Sequence, residues 1–141
     1  MPSISQLCAE HRALEAHAAQ LLRIVSASVP DTAAVAAMRW TMAQQLFSHC
    51  ARKDRAIYEA LRDSGDDAAV ELAERYRDQH RALARSFAAY IDAWPLGRIA
   101  CEWERFGAES EAALEALAAG IALEKDGLNT LALHVIEARA A

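Results

Sequence analysis

At 141 residues the chain has the length of one domain, expected over 1–141, and can bury a core without disulfides or a structural metal. Its net charge of −5 disfavours nucleic acid, which needs a basic face. No apolar run is long enough to span a bilayer, so no membrane role is expected.

Residues AVILMFWYC make up 54%, but Ala supplies much of that share while Val, Ile and Thr are sparse. Strong helix formers dominate, which favours helix over sheet. The opening stretch MPSISQLCAEHRALEAH has neither a basic n-region nor an unbroken apolar segment. It does not read as a signal peptide, and a cytoplasmic location is expected. Cys8, Cys50 and Cys101 are odd in number and lack CxxC spacing. They are expected to be reduced and mostly buried thiols.

Four long helices are predicted. The first covers 3–28, with Leu7, Leu14, Ala18, Leu21 and Val25 as its apolar stripe. SVPDT interrupts the pattern, and Asp31 can cap the next helix. The second covers 32–62, with Val35, Met38, Met42, Leu46, Ile57 and Leu61 inward. DSGDD supplies the next turn and its capping aspartates. The third covers 68–93, with Leu72, Tyr76, Leu83, Phe87 and Ile91 inward, and WPLG ends it at Pro95. The fourth covers 98–125, with Trp103, Phe106, Leu114 and Leu117 inward. Gly127 is expected to break it before a short C-terminal helix through Leu131 and Val135. Stripes at intervals of three and four, joined by short loops, predict an all-α fold: an antiparallel, up-down-up-down four-helix bundle.

Polar residues interrupt these stripes at a few places. His11 falls between Leu7 and Leu14, His49 and Lys53 between Leu46 and Ile57, and His80 between Tyr76 and Leu83. Gly120 and Glu124 follow Leu117 one turn apart. Buried polar groups without partners cost about 1–3 kcal/mol each, and charges cost more. One histidine on a core face is ordinarily a satisfied structural residue. Three on separate helices at one depth point instead to a metal site, since facing helices of a bundle commonly supply His and carboxylate ligands. Imidazole with carboxylate suits iron, zinc or manganese. His17 lies off the stripe and reads as a surface residue, and His134 has no assigned role. A zinc site from Cys8, His11, His49 and Cys50 is chemically conceivable, but its spacing matches no standard zinc motif.

At these positions the sequence resembles the hemerythrin family in its HHE cation-binding form. LCAEHRALEAHAAQLL is similar to that family's first helix, FSHCARKDRAIYEAL to its H-x-x-x-E motif, RDQHRAL to its third helix and GIALEKDGLNTLAL to its fourth. The resemblance spans nearly the whole chain. It implies a bundle around a non-haem diiron site, used for oxygen binding or for iron, redox or nitric-oxide sensing. Carried over, His11, His49, His80 and Glu124 are the implied metal ligands.

Two positions depart from the pattern. Lys53 stands where the family has a bridging carboxylate, and Gly120 where it has a histidine. A lysine ammonium opposes a cation electrostatically. The expectation is that Gly120 leaves room for the Lys53 stem, whose ammonium pairs with Glu124. The dinuclear site is then lost, and the core takes at most one iron or other divalent ion, or none. The expected role is non-enzymatic binding, sensing or structure. One alternative is a working dinuclear iron sensor recruiting Asp54 or Cys50. Another is a metal-free helical interaction module, a homodimer formed through exposed aromatics such as Trp40 or Trp94.

Overall fold

The computed structural model describes the backbone of residues 4–53, 63 and 65–140, and the side chains of residues 6, 9–49, 63, 65–123 and 126. Among the described residues there are four long helices and one short one: α1 (Ile4–Val25), α2 (Thr32–Lys53), α3 (Asp67–Ala93), α4 (Leu96–Cys101) and α5 (Trp103–Ala140). No strand occurs among the described residues.

Local chemistry sets most of the helix ends. Asp31 Oδ1 accepts from the Ala34 amide at 3.0 Å and opens α2. Asp66 caps α3, its Oδ1 accepting from Ala68 at 3.0 Å and Ala69 at 3.5 Å. Each bond satisfies a helix-start amide that has no partner within its own helix. Gly65 precedes that cap at φ 72°, a left-handed conformation that suits glycine. α1 stops three residues short of its predicted end, and residues 26–29 turn instead. The Leu22 carbonyl there accepts from both the Ser26 hydroxyl at 2.7 Å and the Ser26 amide at 3.1 Å. The predicted continuation of α2 over 54–62, with Ile57 and Leu61, lies outside the described residues.

The short helix has a different place from the expected one. It is α4, between Pro95 and Glu102, and α5 runs through Gly127 without a break. An interior glycine costs a helix only about 1 kcal/mol, and no proline follows to stop it. Proline at 95 ends α3 and at once begins α4, because its fixed φ suits a helix entry.

α1 packs against α2 and α5, and α3 packs against the same two helices. The long helices therefore close a four-sided bundle. The Trp103 indole donates to the Ala27 carbonyl at 2.8 Å, setting the start of α5 beside the end of α1. Short connections and this pairing make neighbours antiparallel.

Leu14, Leu21, Val25, Val35, Met42, Leu46, Phe87, Phe106, Leu114 and Leu117 are buried, as their stripes predict. Burying each such side chain contributes about 1.5–3 kcal/mol. Along α3, Leu72 and Tyr76 are only half-buried, while Ala69, Ala73 and Ala84 reach the interior. The core also takes Tyr90, Trp94, Ile99 and Ile121, which the stripes did not assign to it. Trp94 has 0% exposure, so it is no surface for a second copy, whereas Trp40 is 68% exposed. Cys101 is an exposed free thiol, contrary to the expectation of burial. The Cys8 and Cys50 side chains lie outside the described residues. None of the described helices is long and apolar enough to cross a membrane.

Candidate metal centre

Three histidines from three helices meet in the bundle interior. His11 on α1, His49 on α2 and His80 on α3 are each 1% exposed. The His11 and His49 ring centroids are 4.5 Å apart, and those of His49 and His80 are 5.0 Å apart. Each histidine follows a leucine or tyrosine of its stripe by three or four residues, which turns it to the same inward face. Nε2 of His49 lies 2.9 Å from Nε2 of His11, so one proton is shared between the two rings.

The other nitrogen of His49 is held from outside. Its Nδ1 is 2.6 Å from Oε2 of Glu10, a residue that keeps 23% of its side chain exposed. An ionised carboxylate only accepts, so this contact favours a proton on Nδ1 and a lone pair on the inward Nε2. Glu10 was not among the residues that the stripes singled out. Its partner lies 39 positions away on another helix. The only local signal was its place beside His11.

Lys53 and Glu124 belong to α2 and α5 by their backbone, but their side chains lie outside the described residues. So do the proposed lysine–glutamate pair and the substitute ligands Asp54 and Cys50. Gly120 is described, and it does not leave open space. A Cβ at this position would stand 2.8 Å from Cδ1 and 3.1 Å from Cδ2 of Leu83. The Leu83 side chain lies where a side chain at 120 would begin, while the course of the Lys53 stem lies outside the described residues. His17 is half-buried rather than on the surface, with Nδ1 2.7 Å from Oε1 of Gln45. The His134 side chain lies outside the described residues.

Among the described residues no group of three or more His, Cys, Asp or Glu side chains stands ready to hold a metal ion. As it stands His11 and His49 are joined through their Nε2 atoms, and the His80 ring packs on that of His49. The Nε2 pair nonetheless has a spacing close to one suited to a cation. Two nitrogens bound tetrahedrally to one ion at about 2.0–2.1 Å sit roughly 3.3 Å apart. The Nε2 separation of 2.9 Å is a few tenths of an ångström shorter, so a small outward turn of either ring would admit an ion.

A four-helix bundle with imidazoles from three helices converging in a dry interior belongs to the class that builds cation sites between its helices. The family model of the hemerythrin HHE cation-binding domain matches residues 3–132, and the chain belongs to that family. The comparison with curated proteins and the comparison with solved structures each found no match.

Proposed function

We propose that this hemerythrin-like chain binds one divalent cation, iron or another, in its core and serves in binding, sensing or structure rather than in catalysis. His11, His49 and His80 would hold the ion, and Glu124 would add a carboxylate. The observation that carries the reading is the inward-facing Nε2 pair of His11 and His49 at 2.9 Å, with both rings 1% exposed. Imidazole nitrogens suit iron, zinc and their neighbours. A dinuclear centre needs a bridging carboxylate, and Lys53 stands at that position, with a charge that repels a second ion. Leu83 packed on Gly120 further disfavours a ligand from that part of α5. A bound ion would supply a Lewis-acidic centre in a site shielded from water.

The test is metal stoichiometry by elemental analysis after anaerobic loading with Fe(II) or Zn(II), on wild type and on His49→Ala. The expected result is about one ion per chain, lost in His49→Ala. Because the ion binds the folded state preferentially, it should also raise the thermal midpoint of wild type alone. Two irons per chain would establish a dinuclear site instead, and no uptake at all would leave the histidines with a structural role.

A further inference from the structure

We infer that Glu10 is a positioning residue that fixes the tautomer of His49 and so determines whether its inward-facing Nε2 presents a lone pair or a proton. The inference rests on the single-cation reading for its purpose, but its central claim concerns the metal-free protein.

A neutral imidazole carries its proton on either nitrogen, and a neighbouring hydrogen bond decides between them. In His49 the decision falls to Glu10, whose Oε2 is 2.6 Å from Nδ1. Protonation at Nδ1 leaves Nε2 as an acceptor. The proton in the 2.9 Å contact between the two Nε2 atoms therefore belongs to His11. The result is a directed chain in which His11 donates to His49 and His49 donates to Glu10. An incoming cation finds the His49 lone pair already aimed inward and displaces the His11 proton from it. Without Glu10, the His49 proton can sit on Nε2 and block the interior position. A carboxylate behind a ligating histidine is a recurrent way to orient the ring and raise its basicity.

Glu10 is placed to do this from the surface. Its outer side lines a solvent-open pocket of ≈ 300 Å³ between α1 and α2, together with Ala13, Gln44, Gln45 and Ser48. His49, one hydrogen bond further in, is 1% exposed. The partly exposed carboxylate is thus the outermost member of a chain that ends in the dry core. Its replacement by Ala, a better helix former, leaves the core packing in place.

The experiment uses full-length protein and reads the ring nitrogens of His49 by nitrogen-15 NMR, with the signals assigned by comparison with His49→Gln. The expected result in metal-free wild type is the Nδ1–H tautomer. Glu10→Ala should move His49 toward Nε2–H, whereas Glu10→Gln, which keeps a carbonyl acceptor, should retain Nδ1–H. Zn(II) affinity should fall about 10–100-fold in Glu10→Ala and less in Glu10→Gln. An Nε2–H tautomer in wild type overturns the inference, and so does a tautomer that Glu10→Ala leaves unchanged. If wild type takes up no metal, the cation reading fails, while the tautomer shift still decides the role of Glu10. A purely structural Glu10 would alter the thermal midpoint and leave the tautomer as it was.

Discussion

At one end of the bundle Arg39, Tyr90, Ser110 and Trp94 pack around Phe106, and at the other His11, His49 and His80 pack on one another. Both groups bury polar atoms, yet they handle them differently. The Arg39 side chain, 5% exposed, donates from Nη1 to the Trp94 carbonyl at 2.9 Å. Its guanidinium carbon lies 5.8 Å from the Tyr90 ring centroid and 5.9 Å from that of Phe106. The Tyr90 and Ser110 hydroxyls are 2.5 Å apart, and the Trp94 indole donates to Glu109 at 2.6 Å. Burial pushes the Arg39 pKa below its ordinary value and the Tyr90 pKa above its own. Here dissimilar groups complement one another, although Arg39 Nε stays buried with no hydrogen-bond partner among the described residues. The histidine end instead brings like groups together, three imidazoles rich in lone pairs. The difference teaches that the aromatic end holds the fold by pairing unlike groups, whereas the histidine end sets like groups against one another.

The largest test of this contrast is Phe106→Ala. Phe106 has 0% exposure and lies within 6.1 Å of the Tyr90, Trp94 and Trp103 rings, measured between centroids. Removing it should cost about 3–5 kcal/mol, through lost transfer energy and the cavity left behind. Arg39 and His49 lie ten residues apart on α2, about 15 Å along its axis. The loss on urea unfolding should therefore be the same with and without Zn(II). A metal-dependent loss would mean that the two ends are coupled and the contrast is false.

Much of this arrangement was legible in the sequence, and the parts that were not share a cause. Asp31 and Asp66 act within three residues of themselves, and Leu14, Leu21, Met42 and Leu46 repeat at the helical period. Such features are local, so one segment suffices to read them. His11, His49 and His80 stood out because each breaks its own stripe. Trp94 did not, because a tryptophan before a proline reads as loop. Its burial depends on α4 and on Arg39, 55 residues earlier. Arg39 itself reads as a solvated helix charge until Trp94, Tyr90 and Phe106 surround it. Glu10 was missed for the same reason, and so was the contact of Leu83 with Gly120, since each is set by a residue on another helix.

Tyr90→Phe probes the aromatic end more gently. It removes the hydroxyl pair with Ser110, which has 0% exposure, and should cost about 1–2 kcal/mol near neutral pH. The pH dependence adds a second readout. Burial, the largest influence, raises the Tyr90 pKa above 10.0, while Ser110 and Arg39 act in the opposite direction. Above pH 10.0 the unfolded chain releases this proton before the folded one does. The folded state then holds more protons, and stability falls as pH rises through that window. Tyr90→Phe should lose less stability than wild type between about pH 7 and about pH 11. Equal alkaline losses in the two proteins would show that Tyr90 is not shielded as its surroundings indicate.

The smallest effect is expected at Gly120, and it bears on whether a side chain can enter the bundle from that position. Glycine within α5 costs about 1 kcal/mol relative to alanine, so Gly120→Ala should stabilise the helix by that amount if nothing opposes it. Leu83 opposes it, because the new Cβ would meet its Cδ1 at 2.8 Å. The contact is with the far end of a flexible side chain, so Leu83 can turn aside at a cost of about 1 kcal/mol or more. The two effects nearly cancel, and Gly120→Ala in wild type should change stability by less than about 1 kcal/mol. In a Leu83→Ala background the opposition disappears, and the same change should stabilise by about 1 kcal/mol. A double-mutant cycle then gives a coupling energy between the two sites. The cycle also decides how a histidine can be restored at 120. If the coupling is present, Gly120→His with Lys53→Glu will need Leu83→Ala as well before the imidazole finds room. If Gly120→Ala stabilises equally in both backgrounds, Leu83 yields freely, and the glycine exists for some reason other than their contact.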